Sequence, residues 1–230
     1  MIKHFYTIRQ FMPDDAEATT DVHHQVYNEV SGPYRPHDIQ YFTRDRFAER
    51  WASYRNRLDN LQDITFVAQN DATGQIVGLH RFGLGKHAED RGIPTLDLHQ
   101  FYVRKEVTGL GSAFLYLSLG LAEQYGFKQA RIERNESNIV SKAFQIKRLL
   151  AVDVPELRYE DLDIPKGKFG APHDITSYNT VSYIYDIRKS KEHLGQCLDR
   201  ISLPYRVNKS ISGLFQNEIK TQFYKGNGRS

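Results

Sequence analysis

Gly109 and Gly111 stand one residue apart, between an alternating apolar run, LDLHQFYVRKE, and a helical one, FLYLSLGLAEQYGF. Glycine costs backbone entropy wherever it stands, and it recurs where the chain needs positive φ or where a ligand must touch the main chain. A strand, a glycine turn and a helix N-terminus together make an anion site, because the first-turn N–H groups have no acceptors inside the helix. Just upstream, a period of two predicts Asp97, His99, Phe101 and Val103 on one strand face and Leu96, Leu98, Gln100 and Tyr102 on the other. A carboxylate and an imidazole so placed are candidate bases, His99 directly through an unperturbed pKa of ~6.5. The plainer alternative is a solvated strand-end Asp97 and a satisfied interior His99.

The elements that must hold these residues follow from periodicity. HFYTIRQF (4 to 11) alternates as a strand, and PDDAEATTDVHHQVYNEV follows as a helix opened by Pro13 and two aspartates. Phe47, Trp51, Tyr54 and Leu58 give 42 to 60 an amphipathic helical stripe. ITFVAQ (64 to 69) and QIVGLHRFGL (75 to 84) flank the turn-forming NDATG as an antiparallel hairpin. TLDLHQFYV (95 to 103) is the next strand, with a helix expected from about 111 to 125, a strand over 129 to 134 and a helix from about 138 to 150. A polar, proline-bearing stretch, VPELRYEDLDIPKGKFGAPHD, precedes a strand over 180 to 188, and the charge- and glycine-rich loop at 160 to 178 either shapes a ligand pocket or crosses the surface. From 190, Leu194, Leu198 and Ile201 share a helical face, and the last residues, KGNGRS, should fray. The expected organisation is one domain over 1 to 189 and a helical extension over 190 to 230, free to pack on the core, meet a partner or support a homodimer.

Composition narrows the classes. The chain has 230 residues, enough for a real core, with 40% hydrophobic and 26% charged residues. Its 31 basic residues are interspersed with 28 acidic ones, net +3, which argues against a nucleic-acid partner that needs a localised basic patch. No apolar run approaches the ~20 residues of a membrane span, and the N-terminus lacks a secretory apolar stretch. The single cysteine, Cys197, excludes an internal disulfide and fits a reducing, cytoplasmic setting. His23 and His24 are adjacent and the remaining histidines scattered, without zinc-ligand spacing, so no metal is expected.

The order of elements and the segment VRKEVTGLGSAFLYLSLGLAEQYGFKQARIERNESNIVSKAFQIKRLL resemble the core of the GNAT acetyltransferase superfamily. In that family a strand ends in valine, a turn of the form (Arg/Gln)-Gly-x-Gly-x-(Gly/Ala) wraps the pyrophosphate of acetyl-CoA, and a helix follows. Val103 matches the strand end, Gly109, Gly111 and Ala113 the small positions, and Thr108 replaces the usual long side chain. Asn138 and Ser141 match an asparagine and a small residue at the next helix, while Gln145 stands where a tyrosine is common. The likeness runs from about Ile64 to Leu150.

The resemblance implies an α/β (α+β) fold with a mixed, mostly antiparallel central sheet flanked by helices. It implies an N-acyltransferase that uses acetyl-CoA, or another acyl-CoA, and a small-molecule or peptide amine, with direct attack assisted by a general base. Phe101, Tyr102, Val103, Thr108, Gly109, Leu110, Gly111, Ser112, Ala113, Asn138 and Ser141 would hold the coenzyme. The Val103 amide would polarise the thioester, His99 or Asp97 would serve as base, and Tyr183 would supply a proton to the thiolate. Tyr34 and His37, with His23 and His24, stand where the family forms its acceptor pocket. Two alternatives remain: a longer-chain acyltransferase, faintly suggested by VHHQVYNEV and TGQIVGLHRF, and a regulator that binds acyl-CoA without chemistry.

Overall fold

A computed structural model describes residues 5–31, 42–56, 63–83, 89–90, 93–135, 138–164, 175–201, 204–208 and 211. The strands are β1 (Tyr6–Gln10), β2 (Ile64–Asn70), β3 (Ile76–Gly83), β4 (Glu89–Asp90), β5 (Ile93–Val103), β6 (Gln129–Asn135), β7 (Val152–Ile164), β8 (Ile175–Ile184) and β9 (Tyr205–Val207). The helices are α1 (Ala16–Val26), continued by a π-turn over Tyr27–Ser31, α2 (Arg44–Ser53), α3 (Leu110–Gln124), α4 (Ile139–Leu149) and α5 (Ile187–Ile201).

The strands form one sheet in the order β7-β8-β6-β5-β3-β2-β1-β9, with β4 hydrogen-bonded to β5 off that path. Pairing is parallel between β5 and β6 and between β1 and β9, and antiparallel elsewhere. This is the mixed, mostly antiparallel sheet flanked by helices that the resemblance implies. Two layers of side chains cover it. On one face, Phe66, Phe82, Leu96 and Leu98 pack against Leu110, Phe114, Leu117 and Leu121 of α3. On the other, Val67, Ile76 and Leu79 pack against Val22 and Val26 of α1 and Phe47 and Trp51 of α2.

The structure departs from expectation in three places. The polar stretch after Ala151 is not a crossing: its first part forms β7, which pairs with β8 from Val152↔Tyr183 to Ile164↔Ile175. The strand expected over 180 to 188 begins earlier, at Ile175, and ends at Ile184, where α5 soon starts. The tail also contributes β9, whose register with β1 runs from Tyr6↔Tyr205 to Ile8↔Val207. The second tail helix and the frayed end lie outside the described residues.

Candidate active site

Two interruptions of regular pairing make the site. β5 pairs with β6 only over Thr95↔Gln129 to Leu98↔Ile132. Beyond Leu98 the two strands part, and β6 continues on β8 alone through Asn135↔Asn179. On its other edge β5 stays paired with β3 as far as Gly78↔Val103. The Arg104 N–H donates to the Val77 carbonyl at 3.0 Å, so by alternation the Val103 and Phe101 amides point away from β3, into the gap left by β6.

The second interruption is a bulge. Arg81 pairs with Gln100 but Phe82 pairs with Leu98, so His99 is the extra residue. The expected single face of Asp97, His99, Phe101 and Val103 is therefore broken. Phe101 and Val103 pack on the α3 side together with Leu96 and Leu98, while Tyr102 packs among the α1 and α2 residues. Asp97 lies on the face opposite Leu96 and Leu98, buried beside Arg131 at 3.8 Å, which in turn holds Glu133 at 2.6 Å. His99 remains exposed at the gap mouth, yet the protein around it and the Arg81 charge draw its pKa below the ordinary value, with Asp63 and Glu133 opposing. The ring is neutral, and thus basic, at neutral pH.

His80 fixes this bulge, a role that periodicity did not reveal. It is fully buried on β3, its Nδ1 3.1 Å from the Gln100 carbonyl and its Nε2 3.1 Å from Ser118 Oγ of α3. Burial lowers its pKa to about 4, and the Gln100 carbonyl only partly offsets this. A neutral ring therefore donates through Nδ1 to the Gln100 carbonyl, next to the bulged residue.

At the strand's end the glycine turn is built as the sequence suggested. Gly109 is the N-cap of α3 at φ 92°, in the left-handed region, with no side chain to cap the helix. The first helical bond runs from the Ala113 N–H to the Gly109 carbonyl at 3.1 Å, leaving the amides of Leu110, Gly111 and Ser112 without acceptors inside the helix. Thr108 is exposed at the turn. A Cβ on Gly111 would lie 3.1 Å from Phe101, and one on Gly109 only 2.8 Å from Ile201 of α5, so both glycines are needed for close approach. A diphosphate fits this element: a helix start with open amides beside an open strand edge.

The remaining expected residues scatter. Asn138 caps α4, its Oδ1 accepting from the Ser141 N–H at 2.9 Å. Ser141 Oγ then meets Gln145, whose other end faces Ser182 at 3.1 Å. Ser182 also bonds Asp153 at 2.6 Å. Burial raises the Asp153 pKa, but the Ser182 bond and the charges of Arg134 and Lys142 prevail, and the carboxyl sits below its usual range. Gln145 is thus a buried structural link. Tyr183 stacks on Tyr185 at 5.6 Å and lies buried with Val154 and Val181. Its pairing with Arg131, itself paired with Asp97, puts it two strands from β5 and below the opening. His23 is neither a surface residue nor an open pocket wall: it is stacked between Phe47 at 3.9 Å and Tyr102 at 4.4 Å. Tyr34 and His37 lie outside the described residues. No group of three His, Cys, Asp or Glu suited to a metal, and no helix long and apolar enough to cross a membrane, occurs among the described residues.

A mixed sheet whose central parallel pair splays beside a glycine-capped helix defines the GNAT acetyltransferase fold, and this chain has it. A ribosomal-protein-S5-alanine acetyltransferase from Vibrio fischeri superposes with a TM-score of 0.52 at 14% identity, covering 79% of this chain and 93% of that one. FdhC, a nucleotide-linked sugar GNAT, superposes with a TM-score of 0.50 at 13% identity, covering 86% and 93%. No family model matches the sequence, and no curated protein matches it at a significant level.

Proposed function

We propose that the protein is an acyl-CoA dependent N-acyltransferase, using acetyl-CoA. The observation that carries this reading is the parting of β5 from β6 beyond Leu98 and Ile132, alongside the open first-turn amides of α3. In water-excluded sites a strand amide aimed at a developing oxyanion is worth ~3 kcal/mol.

The residues divide the work. The amides of Leu110, Gly111 and Ser112 hold the diphosphate, with Gly109 and Ala113 giving it room and Thr108 adding a neutral hydroxyl contact at the turn. Phe101, Tyr102 and Val103 line the strand edge, and the Val103 N–H holds the thioester oxygen. Asn138 shapes the start of α4, and Ser141 follows on the same turn. When bound, the coenzyme supplies the activated acyl group. His99, neutral at the gap mouth, accepts the proton that the acceptor ammonium must lose before it attacks. Asp97 is buried beside Arg131 and is not itself the base; the charges acting on His99 are those of Arg81, Asp63, Glu133 and Arg131. A thiol has a pKa of ~8.5, so the sulfur leaves as thiolate without an obligatory acid, and Tyr183 is not required.

Calorimetry with acetyl-, octanoyl- and palmitoyl-CoA, followed by thiol release over an amine and peptide panel, tests the proposal. Micromolar binding of acetyl-CoA with thiol release upon adding amine is expected. A preference for chains of eight carbons or more would overturn the acetyl assignment, and tight binding without turnover would make the protein a sensor.

A further inference from the structure

A run of buried polar atoms without hydrogen-bond partners among the described residues lies along the α1 side of β5: His23 Nε2, Asn28 Oδ1, Gln100 Oε1 and Arg104 Nε. Buried polar groups are normally satisfied, so a cluster beside an open strand edge calls for a ligand. The fold sets the four on the α1 side of β5. Gln100, Tyr102 and Arg104 alternate onto one face of β5 beyond the bulge. α1 is fixed along that face at two levels, by His23 stacked on Tyr102 at 4.4 Å and by Glu29 facing Lys105 at 4.0 Å. Six residues of helix, at ~1.5 Å each, advance about as far as three residues of strand at ~3.3 Å. The π-turn over Tyr27–Ser31 therefore carries Asn28 to the level at which β5 ends and Arg104 follows Val103.

The hydrogen-bonding senses are mixed. The Trp51 indole donates to His23 Nδ1 at 3.1 Å, so the neutral ring keeps its proton on Nε2 and presents a donor. Arg104 presents a second, charged donor, while Asn28 and Gln100 present amide oxygens. Asn28, Gln100 and Arg104 are half-buried residues, whereas His23 is buried behind Phe47 and Tyr102. Charge on this face is uneven. Asp63 holds Arg81 through two bonds of 2.8 and 2.7 Å, and Glu133 holds Arg131. Arg50 and Arg104 have no carboxylate partner among the described residues, and burial together with the Arg81 charge lowers the Arg50 pKa.

Building on the acyltransferase reading, we propose that this row is the acceptor site and that the acceptor is a small amine carrying a carboxylate. The amine nitrogen is held by the Gln100 and Asn28 amide oxygens near the Val103 edge, and the carboxylate by Arg104, with Arg50 adding charge. A polyamine or a bare alkylamine leaves both guanidiniums uncompensated and meets a repulsive wall.

The test pairs each amino acid with the amine left by removing its carboxylate: phenylalanine with 2-phenylethylamine, and ornithine with putrescine as the dication. With the full chain, two readouts are taken, kcat/KM for thiol release at fixed acetyl-CoA and the Tm shift of the coenzyme A-loaded protein. Carboxylate-bearing members should be favoured by about tenfold to a hundredfold, the range of one charge-assisted hydrogen bond. Arg104→Gln should erase that preference by raising KM for the acceptor, Arg104→Lys should restore part of it, and the acetyl-CoA Kd should stay unchanged in both. Equal or better use of phenylethylamine or putrescine by the wild type, or a preference that survives Arg104→Gln, overturns this inference and leaves the acyltransferase reading standing. Failure of acetyl-CoA to bind overturns the acyltransferase reading, and the Tm shifts with amino acids then judge the carboxylate site by itself.

Discussion

At the scale of single residues, two histidines on neighbouring elements have opposite fates, and acid tells them apart. His23 is buried in an aromatic stack, and burial first, then the charges of Arg50, Arg81 and His24, lower its pKa to about 3. Its unfolded value is ~6.5, so the folded state binds fewer protons and the stabilisation present above that pH is lost as pH falls toward the folded value. His23→Phe, which keeps the stack, should make the unfolding free energy less steep by ~1.4 kcal/mol per pH unit between pH 6 and 4. Urea titrations at several pH values check this, and identical slopes would show that the imidazole is not buried and neutral. His99 is exposed, and its lowered pKa keeps it available as a base rather than fixing it in the core. His99→Ala should reduce kcat/KM at pH 7 by ~10²-fold, in the range for general-base catalysis, and much less at pH 9, where the amine deprotonates unaided. A loss independent of pH would assign His99 a structural role. Sequence reasoning named His99 with Asp97 as candidate bases but could not separate the two histidines, because a tautomer or a stack depends on partners such as Trp51 and Tyr102 that are distant in the chain.

At the scale of elements, the device that opens the site is the bulge in β5, and its clamp is His80. Replacing His80 with Leu keeps the bulk but takes the His80 partner from the Gln100 carbonyl, at about 1–3 kcal/mol for a buried group so stranded, while Ser118 keeps its bond to the Leu115 carbonyl. Denaturant titration should show that loss. Turnover should fall further than the acetyl-CoA Kd rises, since the bulge lies beside the amides of Phe101 and Val103 while the proposed diphosphate site is the start of α3. His80→Gln, which retains a donor, should recover part of both effects. If turnover is unchanged while stability falls, the bulge holds without His80. The glycine turn, α3, the β2–β3 hairpin and α4 were legible because each depends on local pattern: φ at Gly109, an unbroken apolar run, a cap at Asn138. The bulge was not legible, since one inserted residue leaves LDLHQFYV alternating as before and is fixed only by the β3 register. β7 was missed for a related reason. Its charged residues and Pro155 read as a loop, and its backbone is held by β8 rather than by its own propensity.

At the scale of the whole molecule, the described residues after 190 (191–201, 204–208 and 211) are part of the core. α5 begins at Ile187 and runs along α3: Lys191 pairs with Glu123, Gly195 lies against Tyr116 and Ile201 reaches Gly109. On the α4 side, Ser190 Oγ donates to the Leu149 carbonyl at 2.6 Å and Arg148 to Cys197 Sγ at 2.8 Å. β9 then closes the far edge of the sheet by pairing with β1, and Ile211 is fully buried in the same cluster as Leu110 and Phe114. α3 is consequently covered on nearly every side, which explains why its sequence is apolar all round rather than along one stripe. Leu194 is fully buried against this helix, and Leu194→Ala should cost about 2–5 kcal/mol of stability. Because the segment bridges α3, α4 and β1, that loss should appear as a single shifted transition, with near-ultraviolet circular dichroism and tryptophan fluorescence at Trp51 moving together. Trp51 lies on the opposite side of the sheet from α5, so coincidence of the two probes reports one cooperative unit. If Trp51 holds its native signal while the variant loses α5 structure, the segment is an independent layer, and the glycine turn at Gly109 would not depend on it.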